Sequence, residues 1–205
     1  MTSSKNRSTV FVVEDDEAIC ELITCLLETV GLSVKTYKNP QAFLDVFNAS
    51  FEGCLVLDIR MPGMSGLDLY EALKIRQSTL PVIFLTGYPD VSMAVNAMKA
   101  GAFDFIVKPF NNQQFLDQIQ RALACVPAFA MRTRFLKRLE SLTPRENDVL
   151  KHLVTGKMNK EIAHALRISI STVELHRANL MEKLQVKNLA ELIKCYMLVH
   201  QNLLP

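Results

Sequence analysis

The chain has 205 residues, 49% of them hydrophobic, and a formal net charge of +2 at pH 7. Its length fits one or two domains, and no apolar run reaches the roughly 18 residues that a membrane span needs. Five scattered cysteines without a CxxC pair argue against a disulfide or zinc framework, and the N-terminal segment has no apolar signal-peptide core. We therefore expect a cytoplasmic protein with reduced thiols.

The charges are divided unevenly along the chain. Residues 1–124 carry 10 basic and 14 acidic residues, a net of −4, whereas residues 125–205 carry 13 and 7, a net of +6. This asymmetry indicates two domains with different partners, and a basic half is a candidate for binding nucleic acid. A solvated basic surface would have the same charge, so charge alone does not distinguish it from a nucleic-acid-binding surface.

Short apolar segments alternate with helical patterns throughout residues 1–124. Strands are predicted at residues 9–13, 33–37, 53–57, 81–85 and 103–107. Three of these segments are apolar nearly throughout, as expected for parallel strands covered on both faces. Helices follow each strand, at about 17–30, from Pro40 after the N-cap Asn39, from Ser65, at about 90–100 and at about 111–124. Five βα units predict an α/β domain with a doubly wound, flavodoxin-like, five-stranded parallel sheet.

Polar side chains follow four of the predicted strands. Carboxylates come after the first strand (residues 14–17) and the third (Asp58), and Thr86 and Lys108 follow the fourth and fifth. Functional groups of such sheets gather outside the carboxyl ends of the strands, so we expect these side chains to converge. A charged first helical turn or a surface turn would explain any one of them, but four complementary strand ends are hard to explain by chance.

The clustered carboxylates predict a cation site. Oxygen ligands without histidine or cysteine favour Mg²⁺, and a Mg²⁺ site with few protein ligands usually serves a phosphate. Lys108 and Thr86 would then contact the phosphate oxygens. With Asp58 beside the metal, the predicted chemistry is attack by its carboxylate on a phosphoryl donor, which gives an aspartyl phosphate.

The basic half is predicted to be helical. Residues 125–140, which include Pro127, form the expected linker, with a short basic helix around 129–139. Helices are then predicted from Thr143-Pro144 to about 155, over 160–166 after the N-cap Asn159, over 172–184 and over 189–199. Two short helices joined by a tight turn, then a longer helix, indicate a four-helix helix-turn-helix domain over 141–205. Its small core is predicted to contain Ile162, Ala163, Leu166, Ile168, Val173, Leu180 and Leu184.

Motifs in both halves resemble known families. The segments VVEDDE, LVLDIRMPGMSGLDL, FLTGYPD and FIVKPF resemble the receiver domain of two-component response regulators. The segments LTPRENDVL, GKMNKEIAHAL and STVELHRANLMEKL resemble LuxR-type DNA-binding domains, which makes a plain four-helix bundle a poor alternative. The chain as a whole is similar to FixJ-type response regulators. The resemblance implies a regulator and not an enzyme, with a sensor histidine kinase, promoter DNA and RNA polymerase as partners.

The receiver resemblance also implies residue roles. Asp58 accepts the phosphate and Lys108 contacts it, next to a cis Lys108–Pro109 bond. The implied Mg²⁺ ligands are Glu14, Asp15, Asp58 and the backbone carbonyl of Arg60, and Asp16 directly follows the first two in the sequence. Thr86 and Phe105 form the implied switch pair, with phenylalanine where many relatives have tyrosine. Phosphorylation is then expected to produce a homodimer through the surface around residues 91–98 and 103–107, which carries Val91, Met98 and Ala102.

The DNA-binding resemblance implies that the helix at 172–184 enters the major groove. Glu174, Leu175 and Ala178 then face base edges. Glu174 can accept from cytosine N4, and Leu175 or Ala178 can meet a thymine methyl. The implied phosphate contacts are Lys160, Thr172, His176 and Arg177. The last helix has an apolar stripe, predicted to be mostly core and implied to pair domains into dimers, formed by Leu189, Leu192, Ile193, Tyr196 and Met197.

Two other functions compete with this one. A phosphatase of the haloacid dehalogenase type also uses an aspartyl phosphate, but it needs a second aspartate two residues after the nucleophile, where this chain has Arg60. A constitutive DNA binder with an inactive receiver would not need every phosphorylation residue, yet all are present. Arg60 and Tyr88 are large residues expected to border the phosphate, and they predict slow hydrolysis.

Overall fold

The computed structural model describes residues 9–87 and 91–200, without the side chains of residues 91–94. The chain divides into two compact units, the first up to Ala130 and the second from Met131. In the described part of the chain, no helix is both long and apolar enough to cross a membrane.

The first unit contains a five-stranded parallel sheet with the strand order β2-β1-β3-β4-β5. The strands are β1 (Thr9–Val13), β2 (Ser33–Tyr37), β3 (Gly53–Asp58), β4 (Val82–Thr86) and β5 (Asp104–Val107). The helices are α1 (Glu17–Thr29), α2 (Pro40–Val46), α3 (Gly66–Ile75), α4 (Val91–Lys99) and α5 (Asn112–Leu139). The predicted sheet is therefore confirmed, with each strand boundary within one residue.

Hydrophobic cores cover both faces of this sheet. One contains Phe11 and Leu55, and the other contains Val10 and Val56, because side chains alternate along each strand. All six residues of β3 are buried, as a central parallel strand requires. The sheet therefore holds the end of β3 in a fixed position.

Glycine and capping residues fix the loops at the carboxyl edge. Gly66, the first residue of α3, packs so closely that a Cβ there would lie 2.0 Å from the carbonyl oxygen of Asp58. Asp16 is the N-cap of α1, where its carboxylate accepts hydrogen bonds from the backbone N–H groups of Ala18 and Ile19. That carboxylate is thus used by the helix, as expected for an aspartate at this position.

Helix α5 differs from the prediction. We expected it to end near Ala124, but it continues through Pro127 to Leu139. A proline inside a helix removes one hydrogen bond and costs about 3 kcal/mol. Burial of Phe129 in the first unit and of Phe135 in the second offsets this loss. The use of residues 125–140 as a linker stays a prediction.

Up to residue 200, where the described part of the chain ends, the second unit consists of the end of α5 and four further helices. These are α6 (Pro144–Val154), α7 (Asn159–Leu166), α8 (Ile170–Leu184) and α9 (Leu189–His200). The predicted core is confirmed: five of its seven residues are buried, and Leu166 and Ile168 pack against them. The predicted start of α6 is also confirmed, and Thr143 and Glu146 form a capping box there.

Two helix starts in this unit were predicted wrongly. The N-cap of α7 is Met158, and Asn159 is the first helical residue. Helix α8 begins at Ile170, two residues earlier than expected, because the Ser169 hydroxyl accepts the Thr172 N–H and acts as the N-cap. The turn between α7 and α8 is correspondingly short.

The apolar stripe of α9 is only partly in the core. Leu192 is fully buried, and Cys195, which does not belong to the stripe, is buried beside it. Leu189 and Met197 are 36% and 51% exposed, so the expectation that most of the stripe is core was too broad. The exposed part leaves apolar surface on this helix.

Candidate functional site

Three carboxylates meet at the carboxyl edge of the sheet. Glu14 follows β1, Asp58 ends β3, and the ligand oxygens of Glu14, Asp15 and Asp58 lie within 4.8 Å of one another. Glu14 and Asp58 are 1% and 7% exposed, whereas Asp15 is exposed. Mg²⁺ prefers oxygen ligands, and these three carboxylates are close enough together to bind one ion.

Lys108 joins two of these carboxylates. Its Nζ lies 2.6 Å from Glu14 Oε2 and 2.8 Å from Asp58 Oδ2. Burial raises the pKa of Glu14 to about 7, although the hydrogen bond from Lys108 acts in the opposite direction. Burial alone would lower the pKa of Lys108, but the two carboxylates raise it. The site is thus a buried, compensated cluster of charges, and the expected cis Lys108–Pro109 bond is present beside it.

The Asp58 carboxylate is oriented by both of its oxygens. Oδ1 accepts the backbone N–H of Arg60 at 3.1 Å, and Oδ2 accepts from Lys108. The side chain of Arg60 is exposed. The proposed use of the Arg60 carbonyl as a metal ligand stays a prediction.

Thr86 and Phe105 lie on neighbouring strands. Thr86 ends β4 and is 4% exposed, and its carbonyl accepts the N–H of Lys108 at 2.8 Å. Phe105 pairs with Phe84 in the ladder and is partly buried against the core. The backbone therefore connects the lysine of the charge cluster directly to the threonine.

The surface expected to form a dimer differs in detail from the prediction. Ala102 is 8% exposed and belongs to the core, and Met98 is only partly exposed, because both pack against the sheet. Val95, which the sequence did not single out, is 43% exposed. Tyr88 and the side chain of Val91 lie outside the described residues.

The second unit presents a polar helix surface on α8. Glu174, Leu175 and Ala178 are exposed, Leu175 by 59%, whereas His176 and Arg177 are partly buried. Lys160 is exposed on α7, and the Thr172 hydroxyl lies 2.7 Å from the hydroxyl of Ser169. These are the seven residues expected to contact DNA.

Asn159 is a residue that the sequence did not identify as part of this surface. Its side chain accepts a hydrogen bond from Arg177 and donates one to Glu174. Sequence reasoning assigned Asn159 to helix capping, since asparagine is a good N-cap. Its actual partners are 15 and 18 residues away, beyond the reach of local patterns.

A buried ion pair links α6 to α8. Glu146 is 3% exposed, and its Oε2 lies 2.7 Å from Lys183 Nζ. Although burial favours the neutral acid, hydrogen bonds from Lys183 and Thr143 hold the pKa of Glu146 below its usual value. This contact fixes α8 on the rest of the unit.

Comparison with known families gives two matches that together span most of the chain. Residues 10–120 match the response regulator receiver domain. Residues 140–196 match the luxR family of bacterial regulatory proteins.

Relatives along the whole chain show the same combination. The response regulator TodT of Pseudomonas putida F1 is 42% identical over 93% of this chain and 86% of its own length. The transcriptional regulatory protein FixJ of Bradyrhizobium diazoefficiens is 38% identical over 92% and 94%. The solved structure of the response regulator StyR is 41% identical with a TM-score of 0.57, covering 93% of this chain and 98% of that one. The chain therefore belongs to the two-component response regulators that combine a receiver with a LuxR-type DNA-binding domain, and it is a regulator rather than an enzyme.

Proposed function

We propose that Asp58 accepts a phosphoryl group from a sensor histidine kinase. The observation that carries this proposal is the contact of Lys108 with both Glu14 and Asp58 at the end of a fully buried strand. An Asp58 oxygen forms the new bond to phosphorus while the bond to the donor histidine nitrogen breaks. Lys108 neutralises the charge that arrives on the phosphoryl oxygens.

Mg²⁺ is the cofactor that we propose for this reaction. Glu14, Asp15, Asp58 and the carbonyl of Arg60 would hold it, and when bound it would neutralise phosphate charge. The protein itself orients Asp58 through the Arg60 N–H and keeps Glu14 and Asp58 out of water. Of the cluster, only Asp15 is exposed, so it offers the open side of the site.

Phosphorylation is proposed to act through Thr86 and Phe105. Lys108 now shares its ammonium between two carboxylates, and a phosphate on Asp58 would compete for it. The backbone N–H of Lys108 donates a hydrogen bond to the Thr86 carbonyl. A shift in the position of Lys108 would therefore also move the ends of the neighbouring strands. We propose that the result is a homodimer through the α4–β5 surface, with Val95 as an exposed apolar contact.

The second unit is proposed to bind promoter DNA through α8. Glu174, Leu175 and Ala178 would face base edges, and Lys160, Thr172, His176 and Arg177 would lie near phosphates. The protein would work in the cytoplasm and influence RNA polymerase at the promoter. The proposed organisation is a receiver over 1–124, a linker over 125–140 and a DNA-binding domain over 141–205.

Intact mass measurement after incubation with acetyl phosphate and Mg²⁺ tests the phosphoacceptor. The wild type should gain one phosphate, and Asp58→Ala should gain none. Asp117→Ala is the matched control, because Asp117 is an exposed helical carboxylate whose partner is Gln113. An adduct of wild-type yield on Asp58→Ala would overturn the assignment.

A further inference from the structure

Two oppositely charged side chains of α8 share one hydrogen-bond partner on α7. Asn159 Oδ1 accepts from Arg177 Nη1 at 2.5 Å, and Asn159 Nδ2 donates to Glu174 Oε1 at 3.4 Å. A carboxamide suits this position because it has an acceptor and a donor on one planar group. Glu174 and Arg177 are three residues apart, so they lie on neighbouring parts of the same helix face.

The side chain of Asn159 is not needed to start its own helix. Met158 is the N-cap of α7, and the Glu161 carboxylate accepts the Met158 N–H at 2.7 Å. Asn159 is partly exposed and does not belong to the buried core of the unit. The side chain of Asn159 makes its hydrogen bonds to residues of α8. It therefore does not act as a helix cap.

Glu174 needs an explanation other than the helix dipole. It is the fifth residue of α8, which starts at Ile170, and the favourable effect of the dipole on a carboxylate is confined to the first turn. An exposed carboxylate on a helix that meets DNA also repels the phosphates. This repulsion is compensated if the carboxylate accepts a hydrogen bond from a base or orders a neighbouring cation such as Arg177, and both roles require that the carboxylate is held in place.

Arg177 has the complementary problem. A long arginine side chain loses rotational freedom when it binds, and this loss reduces affinity unless the side chain is ordered beforehand. The hydrogen bond to Asn159 orders the guanidinium in the free protein. The same amide group thus restricts a base-facing anion and a phosphate-facing cation.

We propose that Asn159 is a positioning residue that determines DNA specificity by holding Glu174 and Arg177 in place, without contacting a base itself. This inference rests on the proposed DNA-binding role of α8. It predicts that Asn159 acts only through its two partners. Lys160, its neighbour on α7, differs, because a phosphate contact would strengthen binding to all sequences alike.

The experiment uses the full chain and double-stranded DNA selected from a randomised library with the wild-type protein. Affinity is measured for the selected site, for each single-base change in it and for unselected DNA. Asn159→Ala should weaken binding to the selected site about tenfold, the order expected for one well-formed base contact, and should weaken binding to unselected DNA by a smaller factor, no larger than the one that Arg177→Ala causes there. The loss of discrimination should occur at the same base positions that Glu174→Ala affects.

A background without the two partners gives the decisive control. In a Glu174→Ala, Arg177→Ala protein, adding Asn159→Ala should have no further effect on any DNA. Asn159→Asp keeps the acceptor for Arg177 but places a second carboxylate against Glu174, so it should lose discrimination as Asn159→Ala does. Because aspartate is well tolerated at a helix start, this variant also guards against a folding defect, and melting temperatures verify the fold.

The outcomes separate the inference from the function on which it rests. If Glu174→Ala changes base preference and both Asn159 variants do not, Asn159 is not a positioning residue, while α8 keeps its role. A further loss from Asn159→Ala in the background without its partners would mean a direct DNA contact and would also overturn the inference. If neither Glu174→Ala nor Arg177→Ala changes DNA binding, the proposed role of α8 itself fails.

Discussion

The two units use charge in opposite ways. In the first unit, Glu14, Asp58 and Lys108 form a buried cluster whose position is set by the ends of parallel strands. In the second, Glu174 lies exposed, and the order of the charged pair depends on an amide from another helix. Burial makes each charge of the first cluster costly to leave without a partner. The surface network costs little to break, so under the proposed function it serves to orient Glu174 and Arg177 rather than to stabilise the fold.

The largest effect expected from this difference is on stability. Lys108→Ala leaves two buried carboxylates without their cation and should lower the free energy of unfolding of the first unit by about 3 kcal/mol without Mg²⁺. Saturating Mg²⁺ should recover part of the loss. Urea unfolding followed by far-UV circular dichroism, with and without Mg²⁺, measures both effects.

Lys38→Ala is the matched control for this variant. Its ion pair with Glu17 has a similar length, 2.9 Å, but the two side chains are 73% and 70% exposed. Water screens such an exposed pair, so it should contribute little to stability. If Lys108→Ala and Lys38→Ala lost the same amount of stability, burial would not make the ion pairs of Lys108 stronger than an exposed pair.

A buried carboxylate in the second unit should make its stability depend on pH. The pKa of Glu146 is held below the ordinary value of 4.5, so its contribution to stability is present above pH 4.5 and is lost as the pH falls through the lower, folded-state pKa. Glu146→Gln should cost about 2 kcal/mol at neutral pH and progressively less in acid. Hydrogen exchange of α8 peptides across this pH range measures the difference, and a difference that stayed constant with pH would contradict the assignment.

The exposed charges of the second unit should affect DNA binding instead. Glu174→Ala should relax base preference at one or two positions by about 1–2 kcal/mol and leave nonspecific binding intact or stronger. Lys160→Ala should weaken all DNA alike and reduce the salt slope by about one unit. Titration of single-base variants at two salt concentrations distinguishes them. If Glu174→Ala kept the wild-type base preference, Glu174 would not be one of the residues that recognise bases.

The smallest effect concerns the lifetime of the aspartyl phosphate. Arg60 is large and exposed next to Asp58, and we expect its side chain to hinder an attacking water. The aspartyl phosphate of Arg60→Asn should therefore be hydrolysed about threefold faster than that of the wild type. This factor corresponds to a decrease of less than about 1 kcal/mol in the activation free energy of hydrolysis. Loss of the phosphate adduct over time, followed by mass, gives both rates. A slower or equal rate in the variant would show that water access is controlled elsewhere, for example near Tyr88.

The features that the sequence predicted well are those determined locally. The apolar segment that forms the fully buried β3 and the Asn39 N-cap of α2 depend on neighbouring residues, and both are present. The start of α8 was missed because Ser169, Ser171 and Thr172 are all good N-caps, and only the structure shows that Ser169 is used. The continuation of α5 through Pro127 was missed because it depends on the burial of Phe129 and Phe135.

The candidate sites differ in the same respect. Glu14, Asp58, Thr86 and Lys108 were predictable as a group, since the ends of parallel strands meet at one edge of a sheet. The hydrogen bonds of Asn159 were not, because they join α7 to α8 across the second unit. The exposure of Ala102 was predicted wrongly for a similar reason, as a single alanine carries no pattern that separates surface from core.

The close approach of Gly66 to Asp58 has a mechanical consequence. The carbonyl of Asp58 is in contact with the first residue of α3, whose N–H also donates to the Ile59 carbonyl at 3.0 Å. The backbone at the end of β3 is therefore closely packed against α3, which leaves it little room to move towards that helix when a bulky anion is attached to the Asp58 side chain. Under the proposed function, we expect movement at the phosphorylated site to pass through Lys108 and Thr86 towards β4 and β5, with α3 as the side that moves least.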